Sequence, residues 1–442
     1  MFSVSRAARP FYSNTTMSQT PATLIIHSAA ELVTCHSDSS PEGPRAGAMQ
    51  ADAGIISNGA VAVRDGHILA AGPRDEVLHR YRGDDTDLID ATGKTVTPGL
   101  VDAHTHLIWS GYRDEEYEMR LRGATYLEIM AAGGGIMSTV RATRIAHEDE
   151  LKSRTAERLR RMLEHGTTTV EIKSGYGLSV EDELKCLWAV RDLNHELQMA
   201  GTGPRIAATF LGAHAIPEEY AGDPEGYVTL VIEKMLPTVA DQGLAEWCDV
   251  FCDVGAFTAD QTRRILQAAK DLGLGTRLHA NEFERVGAVQ VAAEMRCSSA
   301  DHLLVMEPED IEALREAGTV AVLLPGTPLG LGLGRYAPAR ALIEAGVPVA
   351  LATDCNPGTC PSENLTLMIA LACSQMKMSP AEAIVAATIN SAYTLDRGHL
   401  LGSLEPGKLG DIVIWNAPNH RHLAYHFGVN LAEQVFVGGL RV

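Results

Sequence analysis

No uninterrupted apolar run in this 442-residue chain approaches the roughly 18 to 20 residues of a membrane helix. Positive charge is in deficit: 37 Lys and Arg against 56 Asp and Glu leave a formal net charge of −19. That balance argues against nucleic acid or an anionic membrane as a general partner. It still allows a small anionic substrate in a local pocket. The eight cysteines (Cys35, Cys186, Cys248, Cys252, Cys297, Cys355, Cys360 and Cys373) form no CxxC pair and no dense framework. The chain therefore reads as reduced and cytoplasmic, with structural cysteines. Glycine clusters at Gly133–Gly135 and Gly330–Gly334 lack the Lys-Ser/Thr that follows a phosphate-binding loop. They read as active-site loops.

What is present is ordinary globular composition, 45% apolar and 21% charged, enough for one large core and a smaller companion. Residues 1–23 read as a disordered leader with a functional start at Met17. Arg6, Arg9, several Ser and Thr and no acid before Glu31 leave organelle targeting as the alternative. Residues 24–95 have the texture of strands and turns, and Asp65-Gly66 inside "GAVAVRDGHILAAG" signals a type I′ hairpin. The same texture returns over 398–442, so the two ends are expected to build one small β-sandwich. Between them, residues 96–397 alternate short apolar strands with helical stretches about eight times. That is the pattern of an α/β fold, a (β/α)₈ barrel.

The polar residues follow the barrel. His104, His106, His214, His279, His302 and Asp354 fall at or near the C-terminal ends of the expected strands, the rim that carries chemistry in such barrels. His104 and His106 stand two apart, so on a strand they leave the same face. Alone, such a pair is weak evidence. With His279 and Asp354 on the same rim it becomes a mixed N/O site suited to Zn²⁺, Fe or Mn²⁺, able to lower the pKa of a water.

"PGLVDAHTH", the later histidines and a closing "TD" resemble the amidohydrolase superfamily. "GATYLEIMAAGGGIMSTVRATR", "IKSGYGL", "LGAHAIP", "LHANE", "ADHL" and "TDCNPGTC" together resemble the imidazolonepropionases, ring-opening enzymes of histidine breakdown. The resemblance spans residues 24–442. It implies hydrolysis of 4-imidazolone-5-propanoate to N-formimidoyl-L-glutamate with one divalent or trivalent transition metal (Zn²⁺ or Fe) on His104, His106, His279 and Asp354. Arg113 would pair with the propionate carboxylate, a partner its planar fork suits. Tyr176 would donate its hydroxyl to the same substrate, and His214 would contact the ring. Glu282 would hydrogen-bond the ring or steer the water, and His302 would polarise the reacting carbonyl. Asn356, Gly358 and Thr359 would offer loop groups to the ligand. Asp354 would serve as ligand and proton acceptor. A homodimer is the expectation.

Two departures stand out. Many relatives carry Asp where this chain has Asn281, and "PGTPLGLGLGRY" has small residues and leucines where bulkier aromatics are expected. Cys355, Cys360, Met376 and Met378 read as packing. A deaminase, a hydantoin-type ring opener or a non-catalytic scaffold are the alternatives. "CDVFCD" lacks the lysine that a two-metal hydantoin-type site would need.

Overall fold

The computed structural model describes residues 21–37, 42–124, 128 and 132–442, so most of the expected leader and part of "GATYLEIM" lie outside the described residues. The chain ends build one sheet. Strands β1 (Leu24–Val33), β2 (Ile55–Arg64), β3 (His67–Pro73), β4 (Asp87–Asp90) and β5 (Thr95–Pro98) come from the N-terminal side. Strands β14 (Ile412–Trp415), β15 (Ala432–Val437) and β16 (Leu440–Arg441) come from the C-terminal side. The order is β16-β15-β14-β5-β1-β2-β3, with β4 beside β1. The seam between the two ends is the antiparallel β14–β5 pair, Ile412 opposite Pro98 and Ile414 opposite Val96. The hairpin at Asp65-Gly66 forms with φ of 50° and 79°, the doubly positive pair that a type I′ turn needs.

Alternation along these strands sorts side chains to two faces. Leu24, Ile26, Val61, Val63, Ile412, Ile414 and Phe436 share one core, the inside of the small sandwich. Ile25, Ala60 and Ala62 point the other way, onto Val77 of helix α1 (Arg74–Tyr81).

The barrel comprises β6 (Leu100–Asp102), β7 (Thr167–Lys173), β8 (Arg205–Ala213), β9 (Trp247–Cys252), β10 (Gly275–Ala280), β11 (Ser299–His302), β12 (Val320–Leu323) and β13 (Val349–Leu351). Each pairs in parallel with the next. All seven residues of β7 are buried, the continuous burial of a strand covered on both faces. Closure between β13 and β6 runs through their loops. Asp354 N donates to His104 O at 3.0 Å and His106 N to Cys355 O at 2.9 Å. Thr105 bridges Cys355.

That closure corrects one expectation. His104 and His106 stand just past the end of β6 rather than on a continuing strand. Their direction is set by backbone bonds to the β13 loop on one side and by Lys173 N donating to Thr105 O at 3.0 Å on the other. Cys355, Cys360, Met376 and Met378 are buried as packing residues. Gly326–Leu331 forms a short helix whose Gly330 lies so close to the Thr359 carbonyl that a Cβ would be 1.9 Å from it. Glycine at position 330 is required by that approach. Among the described residues no helix is long and apolar enough to cross a membrane.

Candidate active site

At the C-terminal rim, His104 Nε2 and His106 Nε2 lie 3.5 and 3.3 Å from Asp354 Oδ1. His279 Nε2 is 3.3 Å from His106 Nε2. The donor atoms of His104, His106 and Asp354 fall within 4.8 Å of one another, and so do those of His104, His279 and His302. His104 Nε2 has no hydrogen-bond partner although it is buried. Buried imidazole nitrogens and a carboxylate converging on one point are costly unless something binds them, and a cation suits that donor set. The residues fit a transition-metal site.

The far side of two of these rings is fixed. His104 Nδ1 bonds Asp301 Oδ2 at 2.6 Å, and His279 Nδ1 lies 3.0 Å from Asp249 Oδ2. Carboxylates behind metal-binding imidazoles set the tautomer and the ring direction. Neither acid figured in the sequence expectations. Both are fully buried, and a third layer pays their charge: Lys173 Nζ sits 2.8 Å from Asp249 and 2.7 Å from Glu171. Arg277 lies 3.7 Å from Asp301. The available signal was charged residues inside apolar strand runs, as in "CDVFCD" and "TTTVEIK".

Burial alone would raise the Asp354 pKa, but the close imidazoles of His104 and His106 hold it well below the usual carboxylate range. Burial pushes His106 down to about 4, keeping its imidazole neutral and able to ligate. His302 and His214 are likewise held well below their ordinary value, mainly by burial. Glu282 moves the opposite way, well above its usual range, through burial and the charges of Asp354 and Asp253. His302 Nε2 lies 3.6 Å from Glu282.

A cavity of about 580 Å³ opens over the cluster. His106, His279, His302, Glu282 and Asp354 line it, together with Arg113, Tyr176, His214, Asn356 and Thr359. His104 and Gly358 do not line it. His104 sits behind, and Gly358 packs under Arg113, whose Nη1 would be 2.2 Å from a Cβ there. The His214 ring stacks on His106 with centroids 5.0 Å apart, and its Nδ1 contacts Gly175 O at 3.0 Å. The Asn356 amide is used within its own loop: Oδ1 accepts from Gly358 N and Thr359 N, both at 2.8 Å. Asn281 Nδ2 donates to Val305 O at 2.9 Å, a bond an aspartate could not make, so its amide ties two rim loops together.

The turn carrying Tyr176 shows why its neighbours are glycines. Gly175 has φ of 109°, and a Cβ on Gly177 would lie 2.4 Å from Glu183 N. The Glu183 carboxylate accepts from the backbone N–H of Gly175, Gly177 and Leu178 at 2.8–3.1 Å. Glu183 was not among the expected site residues. It belongs to the first turn of the next helix (Val180–Ala200).

The amidohydrolase family model matches residues 95–442. The imidazolonepropionase of Geobacillus kaustophilus is 51% identical over 418 residues, 94% of this chain and 97% of that protein. The chain belongs to the imidazolonepropionases. Those of Symbiobacterium thermophilum and Alkaliphilus metalliredigens are each 48% identical, over 95% and 90% of this chain and 97% and 93% of theirs. Among solved structures, a mutant atrazine chlorohydrolase from Arthrobacter aurescens complexed with zinc and atraton superposes with a TM-score of 0.72. It is 18% identical and covers 95% of this chain and 94% of its own. A zinc-bound adenosine deaminase from Xanthomonas campestris gives 0.68 at 19% identity, covering 96% and 93%. At such identities the likeness concerns the barrel and its companion sheet. Membership of the imidazolonepropionases rests on the closer relatives.

Proposed function

We propose that the chain hydrolyses the ring C–N bond of 4-imidazolone-5-propanoate to N-formimidoyl-L-glutamate, a step of L-histidine degradation. The observation that carries this reading is the layout of one cavity. A guanidinium and a phenol, Arg113 and Tyr176, line the same space as the His/Asp cluster. That suits a small substrate with an anionic tail and a hydrolysable ring. A deaminase acting on a neutral aminated ring would have no use for a carboxylate clamp.

His104, His106, His279 and Asp354 would hold one transition metal, Zn²⁺ or Fe. Its chemistry when bound is Lewis acidity, which makes a water nucleophilic near neutral pH. Asp354, ionised by its imidazole contacts, accepts the proton of the attacking water and passes it toward the leaving ring nitrogen. His302 polarises the reacting carbonyl. Glu282, its pKa raised, donates a hydrogen bond to the ring. His214 packs against the ring. Arg113 and Tyr176 fix the tail, and burial keeps the Tyr176 hydroxyl protonated as a donor, so the contribution there is positioning. Asn356 and Thr359 line the same cavity and would offer loop groups to the substrate, while Gly358 backs Arg113. We further propose a cytoplasmic homodimer.

The test is consumption of imidazolone propionate and appearance of formiminoglutamate by protein reconstituted separately with Zn²⁺ and Fe. Turnover with this substrate is expected. Its absence, alongside ammonia release from an aminated heterocycle, would move the chain to the deaminases.

A further inference from the structure

Arg113 precedes helix α2 (Asp114–Leu121), and Glu116 and Arg120 follow at i+3 and i+7, so the three share one stripe of that helix. Tyr117 lies at the edge of that stripe, its ring centre 5.8 Å from the Arg120 guanidinium, and Leu121 lies off it; both are exposed. The stripe faces two loops. On one side is the glycine-rich turn before helix α3 (Ile136–Ile145). On the other is the Asn356–Thr359 turn after β13.

Glu116 is the hub. It is only 7% exposed, and both its oxygens are engaged. Oε2 accepts from Arg113 Nε at 2.9 Å. Oε1 accepts from Gly135 N and from Ser138 Oγ, each at 3.0 Å. Arg120 Nη2 donates to Gly358 O at 3.1 Å, while the Arg113 guanidinium packs over Gly358. Glu116 does not line the cavity, whereas Arg113 and Ile136, the residue after Gly135, do.

A guanidinium can meet a carboxylate side-on through Nε and one Nη, or end-on through both Nη atoms. Glu116 occupies the Nε side. The end-on edge is what remains for a substrate carboxylate. We infer that Glu116 is the positioning residue that selects this edge of Arg113 and locks it to the Gly135–Ser138 turn, so that both walls at the tail end of the cavity are set by one buried carboxylate. This rests on the assignment of Arg113 to the substrate's carboxylate. It gives a physical role to the "GGGIMS" stretch, whose Gly135 N–H and Ser138 hydroxyl hold Glu116.

Steady-state kinetics of Arg113→Ala, Glu116→Gln, the double variant and Ser138→Ala test it on the metal-loaded protein. Glu116→Gln should raise KM about ten- to a hundredfold, the size of a lost charge-assisted hydrogen bond, with kcat nearly unchanged. Added to Arg113→Ala it should raise KM no further, because the two act as one unit. Ser138→Ala, a milder change that keeps the test open if Glu116→Gln fails to fold, should raise KM by a smaller factor. If Arg113→Ala raises KM but Glu116→Gln and Ser138→Ala do not, the inference falls and the Arg113 assignment stands. If Arg113→Ala leaves KM unchanged, the assignment falls and the inference with it. A Glu116→Gln effect that adds in full to Arg113→Ala, or that appears in kcat alone, would also overturn it.

Discussion

At the scale of single residues, the deepest charges matter as much as the rim. Lys173 is fully buried with Glu171 and Asp249 against its ammonium. Burial would lower its pKa, but the two carboxylates outweigh that and raise it. Replacing Lys173 by Met should leave two buried carboxylates uncompensated and cost about 3–5 kcal/mol. It should also release Asp249 and loosen His279. Urea denaturation and bound-metal content read the two effects, and an unchanged midpoint with full metal occupancy would count against this account. Several non-glycine residues at the rim carry positive φ, among them Asn281 at 52°, His302 at 77° and Asp354 at 55°. Such conformations cost about 1–3 kcal/mol each and are held here by surrounding bonds. Sequence made His302 and Asp354 visible by residue type. It could not show that their backbones take the left-handed conformation.

At the scale of elements, helix ends follow local chemistry. Thr258 and Gln261 form a capping box at the start of Ala259–Asp271, and Ser379 and Glu382 do so at Pro380–Val385, the reciprocal pattern their spacing allows. Glu307 and Asp310 close a third such box at Pro308–Ala317, where the acid also pairs with Arg285 at 2.7 Å. Burial works to raise the Asp310 pKa, yet bonds from Arg285, Glu307 N and Gln290 bring it below the ordinary value. A depressed folded pKa means stability that is present above the unfolded value near pH 4 and is lost as pH falls through the folded one. Asp310→Asn should therefore destabilise by about 2 kcal/mol at pH 7, with the gap from the parent protein closing below about pH 4. Denaturant midpoints at both pH values check this, and a gap that persists in acid would contradict it. The strand and helix alternation was legible because its periods are local. The exact end of β6 was not, since it depends on a closure bond to a loop some 250 residues later.

For the whole molecule, the metal is expected to be a structural partner as well as a chemical one. His106 and His279 nitrogens 3.3 Å apart, with His104 and Asp354 beside them, leave a buried polar cluster lacking its counterpart once the ion is removed. Chelation should lower the melting temperature, because an ion at about 100 times its Kd stabilises the folded state by about 2.7 kcal/mol. Readdition should restore it. Calorimetry before and after chelation decides, and an unmoved Tm would argue against a single tightly held ion at this cluster.

The sequence alone determined the barrel, the small sheet made from both ends and the rim residues, because hydrophobic period, turn chemistry and ligand residue types are written locally. Tertiary structure decided what stands behind that rim. Asp249 and Asp301 behind the imidazoles, Lys173 and Arg277 behind those acids, Glu183 under the Tyr176 turn and Glu116 beside Arg113 are ordinary charged residues in a string of letters. Only closure of the barrel removes them from water, and in that dry interior each must find its partner at hydrogen-bond distance.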